Sequence, residues 1–172
     1  KGDLSGKVSK TSDGTAQDSA VISADLQQIP TENQPAITNI TGNYSLTSIT
    51  TGIWAVTVSK TGYQTCKKNV QVVGGSPATC NIKMPPNASG IVPAPITLGI
   101  DDADGPAGQT ATITGNGFGA SEGVINFGGF QADVIPSSWT TTSIQAKVPI
   151  GLTGVVDVEV IRFNDGQKSG NN

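Results

Sequence analysis

Aliphatic and polar residues alternate with a period of two along most of this chain, in short runs separated by Gly, Pro, Asn and Ser. That period sends successive side chains to opposite faces of an extended strand. In the first half it predicts strands over 4–9, 20–26, 43–49, 53–60, 63–73 and 79–84. Ile22, Ala24 and Leu26 share one parity, and Trp54, Val56 and Val58 share another. The last two runs are read as a pair about the turn Gly74-Gly75-Ser76-Pro77, and the stretch holding Pro30 and Pro35 is read as irregular. In the second half, strands are expected over 95–100, 109–119, 123–130, 132–135, 143–149 and 154–162. Ile125/Phe127, Ala132/Val134, Ile144/Ala146/Val148 and Val156/Val158/Val160 supply its inward positions. Strands with one buried and one wet face pack as antiparallel sandwiches.

Between the two halves lies MPPNASGIVPAP, 84–95, with four of the ten prolines. Pro85, Pro86, Pro93 and Pro95 favour extended, semi-rigid backbone, and Asn87-Ala88-Ser89-Gly90 allows a bend. The chain is accordingly divided into a first domain at 1–86, a Pro-rich linker at 87–94 and a second domain at 95–172. With 172 residues in all, each domain is large enough to bury its own core.

Composition sharpens this to an all-β fold. Charged residues are 13% of the chain, while Gly (22) and Pro (10) approach a fifth of it, which favours short strands and tight turns over helices. The net charge of −3 divides into +2 for 1–86 and −5 for 87–172. No basic patch with interleaved aromatics suggests nucleic acid, and no apolar run suggests a membrane span. The start at Lys1, without Met or signal peptide, reads as a processed or excised segment.

In the first half, Gly6-Lys7-Val8, Ser12-Asp13-Gly14-Thr15, Ala20-Val21-Ile22 and the run from Thr38 to Tyr63 resemble a carboxypeptidase regulatory-like domain. Thr41-Gly42-Asn43-Tyr44, Thr51-Gly52-Ile53-Trp54 and Gly62-Tyr63 stand where that family has its turn-and-aromatic pattern, without its Asp and its Pro. The resemblance implies a transthyretin-like or prealbumin-like sandwich and a non-catalytic accessory or spacer role. The second half is similar to an IPT/TIG domain, an immunoglobulin-like sandwich. Ile113, Gly115 and Phe118 match one element of its pattern, Ile125, Phe127, Gly128 and Gly129 a second, and Ile144, Val148, Pro149 and Gly154 a third. That family continues into a last strand, whereas here 164–172 is polar. An open edge is therefore expected, and a strand supplied by another chain could fill it.

Candidate chemistry is sparse. Cys66 and Cys80 lie on the apolar parity of their strands, and a pair of cysteines in an exported protein points to a disulfide. A simple hairpin about 74–77 would place residue 80 opposite roughly residue 71, so the bond requires a bulge, a longer turn or strands in different sheets. Two buried free thiols are the alternative. Asp101, Asp102 and Asp104 form the one acidic cluster, a weak Ca²⁺ candidate against a solvated acidic turn. Trp139 either caps the core edge or serves as an exposed contact residue. The sequons Asn39-Ile40-Thr41, Asn43-Tyr44-Ser45 and Asn87-Ala88-Ser89 would be glycan acceptors in a eukaryotic secretory pathway. With no His, a Ser/His or Cys/His nucleophile cannot be assembled. No catalytic residue, cofactor or metal is expected.

Taken together, the residues and both resemblances point to a non-enzymatic extracellular structural or adhesion segment of a microbial, bacterial or archaeal, cell-surface or secreted protein. Its expected partners are other protein domains or copies of itself, through strand exchange in one form. The alternative is an accessory glycan-binding module of a secreted carbohydrate-active enzyme.

Overall fold

A computed structural model of the chain describes residues 1–11, 13–28, 32–89, 94–101 and 106–169. Fifteen strands account for the regular structure of those residues. They belong to two compact units, Lys1–Met84 and Pro85–Asn172.

Each unit is two sheets around its own core. In the first, β1 (Gly2–Lys10) pairs antiparallel with β4 (Asn43–Ile49) on one side. On its other side it pairs in parallel with β7 (Ala78–Thr79) and then β8 (Ile82–Met84). The ladder carries across the break between β7 and β8: Cys80 N donates to Ser5 O at 2.8 Å and Lys7 N to Asn81 Oδ1 at 2.9 Å. A side-chain amide thus stands in for a missing backbone carbonyl. The facing sheet has the order β3–β2–β5–β6, where β2 is Val21–Leu26, β3 Asn33–Ile37, β5 Gly52–Ser59 and β6 Cys66–Val72. Leu4, Val8, Ile22, Leu26, Trp54, Ile82 and Met84 fill the space between, all with 0–1% exposure. Trp54 satisfies its indole N–H on Thr50 O at 2.8 Å, so this ring is core.

Two expectations change here. The runs after residue 63 do not form a hairpin: β6 pairs with β5, whereas β7 and β8 cross to β1 in the other sheet. Only Val73 and Ser76 bridge the turn between them. Moreover, 33–37 is a strand despite Pro35. Leu26 N to Glu32 O and Thr38 N to Ala20 O fix the pairing, so residues of even number bond to β2 and Pro35 faces away from it. An edge position facing outward needs no N–H, and proline is tolerated there.

In the second unit, β13 (Asp133–Val134), β14 (Ser143–Lys147), β10 (Thr110–Asn116) and β9 (Ile96–Ile100) make one sheet in that order. The other has the order β12 (Phe130–Gln131), β11 (Val124–Phe127), β15 (Val158–Ile161). Ile113, Phe118, Ile125, Ile144 and Val160 are wholly buried between them. Gly128 and Gly129 join β11 to β12 with φ of +57° and +81°, the conformation a two-residue hairpin requires.

The expected open edge is partly closed by the chain itself. After β15 the backbone turns and comes back: Arg162 N donates to Gln167 O at 2.9 Å and Ser169 N to Val160 O at 2.8 Å. Val160 N in turn donates to Ser169 Oγ. The segment that precedes β9 also belongs to this unit, with Ser89 N on Asp165 O at 2.9 Å.

Candidate functional site

The structure draws no bond between the two cysteines. Both side chains are buried within one core, at 5% and 1% exposure. Cys66 opens β6 opposite Val58, and its Sγ lies 3.5 Å from Gln64 O and 3.4 Å from Lys83 O. Cys80 sits in the break between β7 and β8, beside β1, where its carbonyl accepts the Tyr44 hydroxyl at 2.7 Å. Parity placed both side chains inward, and they hang from facing sheets around one core, one of the arrangements that a bond between them requires. Burial, followed by the proximity of Cys80, pushes the Tyr44 phenol far above its ordinary value, so this hydroxyl remains a neutral donor.

Trp139 is half-buried at the edge of the second core. Its indole N–H donates to Gly119 O at 3.0 Å, and its ring meets Phe118 edge-on, 6.5 Å between centroids and 61° between planes. Gly123 lets it approach, since a Cβ there would lie 3.1 Å from Cη2. The ring edge and the polar atom are therefore both engaged by the chain. Of the acidic cluster, Asp101 directly follows β9, with its N–H on Thr112 O at 3.0 Å and its Oδ1 accepting Thr112 N at 2.6 Å. Asp102 and Asp104 lie outside the described residues, and no group of three metal-ligating side chains occurs among the described ones.

One charged centre was not singled out from the sequence. Arg162 follows β15 with 9% exposure. Its guanidinium grips Asp165 in a fork, Nε to Oδ1 at 3.0 Å and Nη2 to Oδ2 at 2.6 Å, while Nη1 reaches Gly117 O at 3.2 Å. The stem passes Gly119, where an added Cβ would lie 3.5 Å from Cγ and Cδ. Asp165 Oδ1 also accepts Gln167 N, and Asp165 O accepts Ser89 N. Bonded to Arg162, the Asp165 carboxyl titrates below the usual carboxylate range. This fork ties together the 117–119 loop, the C-terminal turn and the lead-in segment. Arg-x-x-Asp followed by Gly166 was the available sequence signal. The bond set holds the backbone and leaves no proton or nucleophile poised for reaction.

Residues 3–85 match the family model of the carboxypeptidase regulatory-like domain, and residues 95–172 that of the IPT/TIG domain. The chain is similar to a cyclomaltodextrin glucanotransferase of Bacillus sp. (strain 1011), 30% identical over 101 residues, covering 54% of this chain and 14% of that one. It is 39% identical over 57 residues to the enzyme of the same name from Bacillus sp. (strain 1-1), covering 33% and 8%. The chain thus spans a small fraction of the relatives it matches. Among solved structures, BcpA, the major pilin subunit of Bacillus cereus, aligns over 99% of this chain and 67% of its own, with a TM-score of 0.46 and 10% identity. Residues 3–85 belong to the carboxypeptidase regulatory-like domains and residues 95–172 to the IPT/TIG domains, joined in tandem in one chain.

Proposed function

We propose that this chain is a non-catalytic structural segment of an exported multidomain protein, one that spaces and orients neighbouring domains. The observation that carries the reading is the tiling of the chain by two module families, each enclosing its own core. Several of its polar side chains serve the fold: Asn81 fills a gap in a ladder, and Arg162 and Asp165 lock a turn. Two of its edges are poorly suited to strand exchange. Residues 167–169 already meet β15, and Pro35 blunts β3.

A second reading, an accessory glycan-binding module, is favoured by the two glucanotransferase relatives. Titration calorimetry of the purified chain with cyclomaltodextrins and soluble starch, with product analysis of the same mixtures, separates the cases. The structural role predicts neither heat nor products. Saturable heat without products would replace it with the glycan-binding role, and products would overturn both.

A further inference from the structure

We propose that Asn39 is the point of covalent glycan attachment on this chain, its carboxamide nitrogen being the acceptor for an N-linked oligosaccharide. The chain contains three Asn-x-Ser/Thr sequons, and the fold treats them differently. At Asn39, in the turn that leads into β4, Oδ1 accepts Thr41 N at 3.0 Å, Thr41 Oγ1 at 2.7 Å and Asn43 N at 3.0 Å. The turn is closed by Gly42 N on Asn39 O at 2.8 Å, with Gly42 at φ +74°. All three bonds fall on the oxygen. They hold the oxygen within the turn and leave Nδ2 of the exposed Asn39 without a partner among the described residues. The hydroxyl of the sequon and the carboxamide it must serve are thus already in contact.

The other two sequons lack this arrangement. Asn43 lies within β4 opposite Lys7, and its Nδ2 is spent on Thr41 Oγ1 at 3.0 Å. At Asn87 the sequon is not folded back on itself, because Ser89 N is bonded to Asp165 O rather than to the Asn87 carboxamide. Geometry therefore selects one of three. It also supplies a consequence: Ile40, 88% exposed in the middle of the sequon, and Ile37, 67% exposed beside it, are aliphatic surface that an attached sugar would shield.

The reaction requires an oligosaccharyltransferase and a lipid-pyrophosphate-linked oligosaccharide. A new bond joins Nδ2 to the anomeric carbon, the bond from that carbon to the pyrophosphate oxygen breaks, the lipid pyrophosphate leaves and the nitrogen loses one proton. No redox change is involved.

The test uses the intact, folded chain, a single-subunit oligosaccharyltransferase that accepts Asn-x-Ser/Thr, and the lipid-linked donor, read by intact mass and peptide fragmentation. We expect one glycan per chain, on Asn39. Asn39→Gln should abolish it and Thr41→Ala should reduce it at least tenfold. Thr41→Ser, which keeps the hydroxyl, should restore most of it. Equal circular dichroism spectra of the variants would show that the fold survives. No transfer to the folded chain, or transfer to Asn43 or Asn87 with Asn39 empty, would overturn the assignment.

Discussion

A methyl group at residue 6 would sit 2.0 Å from Cys80 O and 2.7 Å from the Tyr44 ring and hydroxyl. Glycine is there because β1 must pass beneath a buried tyrosine that bonds the backbone of the neighbouring segment. Gly6→Ala should cost about 3 kcal/mol, since backbone and a packed ring must both move. Tyr44→Phe keeps the shape but strips Cys80 O of its donor, for about 1–2 kcal/mol. Urea midpoints of the two variants check both values. Arg162 and Asp165 give a prediction in pH. The folded carboxyl titrates below its ordinary 3.8 because of Arg162, so its contribution is fully present above that value. It is lost as pH falls through the lowered folded value. In the transition of the second unit, Asp165→Asn should therefore remove part of the acid sensitivity below about pH 4. An unchanged acid limb would show that the fork contributes little.

At the level of elements, alternation revealed which face each strand buries but not which neighbour it pairs with. Trp54, Val56 and Val58 were legible as inward positions of β5, and Ile144 and Ala146 as those of β14, because burial follows a period of two. Cys66 and Cys80 were legible as inward for the same reason. Their assignment to separate sheets was only one of the arrangements left open, since the crossover of β7 and β8 to β1 depends on tertiary pairing that no local pattern encodes. β3 was missed for a different cause. Pro35 speaks against a central strand, and only the register of the folded sheet shows that it occupies an outward edge position. That position has a testable role. Pro35→Val would add an outward N–H and strand propensity to an edge that also carries the exposed Ile37. We expect little change in unfolding midpoint but concentration-dependent association, read by light scattering after size exclusion. A variant that stays monomeric at all concentrations would show that the edge is guarded by something other than Pro35. Of the candidate contact residues, Trp139 was visible as an aromatic out of place. Its anchoring to Gly119 and Phe118 required the 117–119 loop to be in position.

For the whole molecule, the account is of two modules, each stabilised by its own interior. The charge division, +2 before residue 87 and −5 from there onward, adds a chemical difference between them that the fold does not need. The spacer role depends on each module holding its shape without help, since a segment that unfolds with its neighbour cannot set a fixed distance. Differential scanning calorimetry of the intact chain measures this directly when one core is weakened at a time. Ile22→Val trims the first core and Ile144→Val the second, each at a site with no more than 1% exposure. Each loses about 1 kcal/mol, enough to move the transition of a domain of this size by about 4–8 °C. The account predicts two endotherms, with Ile22→Val lowering one and Ile144→Val lowering only the other. A single cooperative endotherm shifted by both substitutions would contradict it.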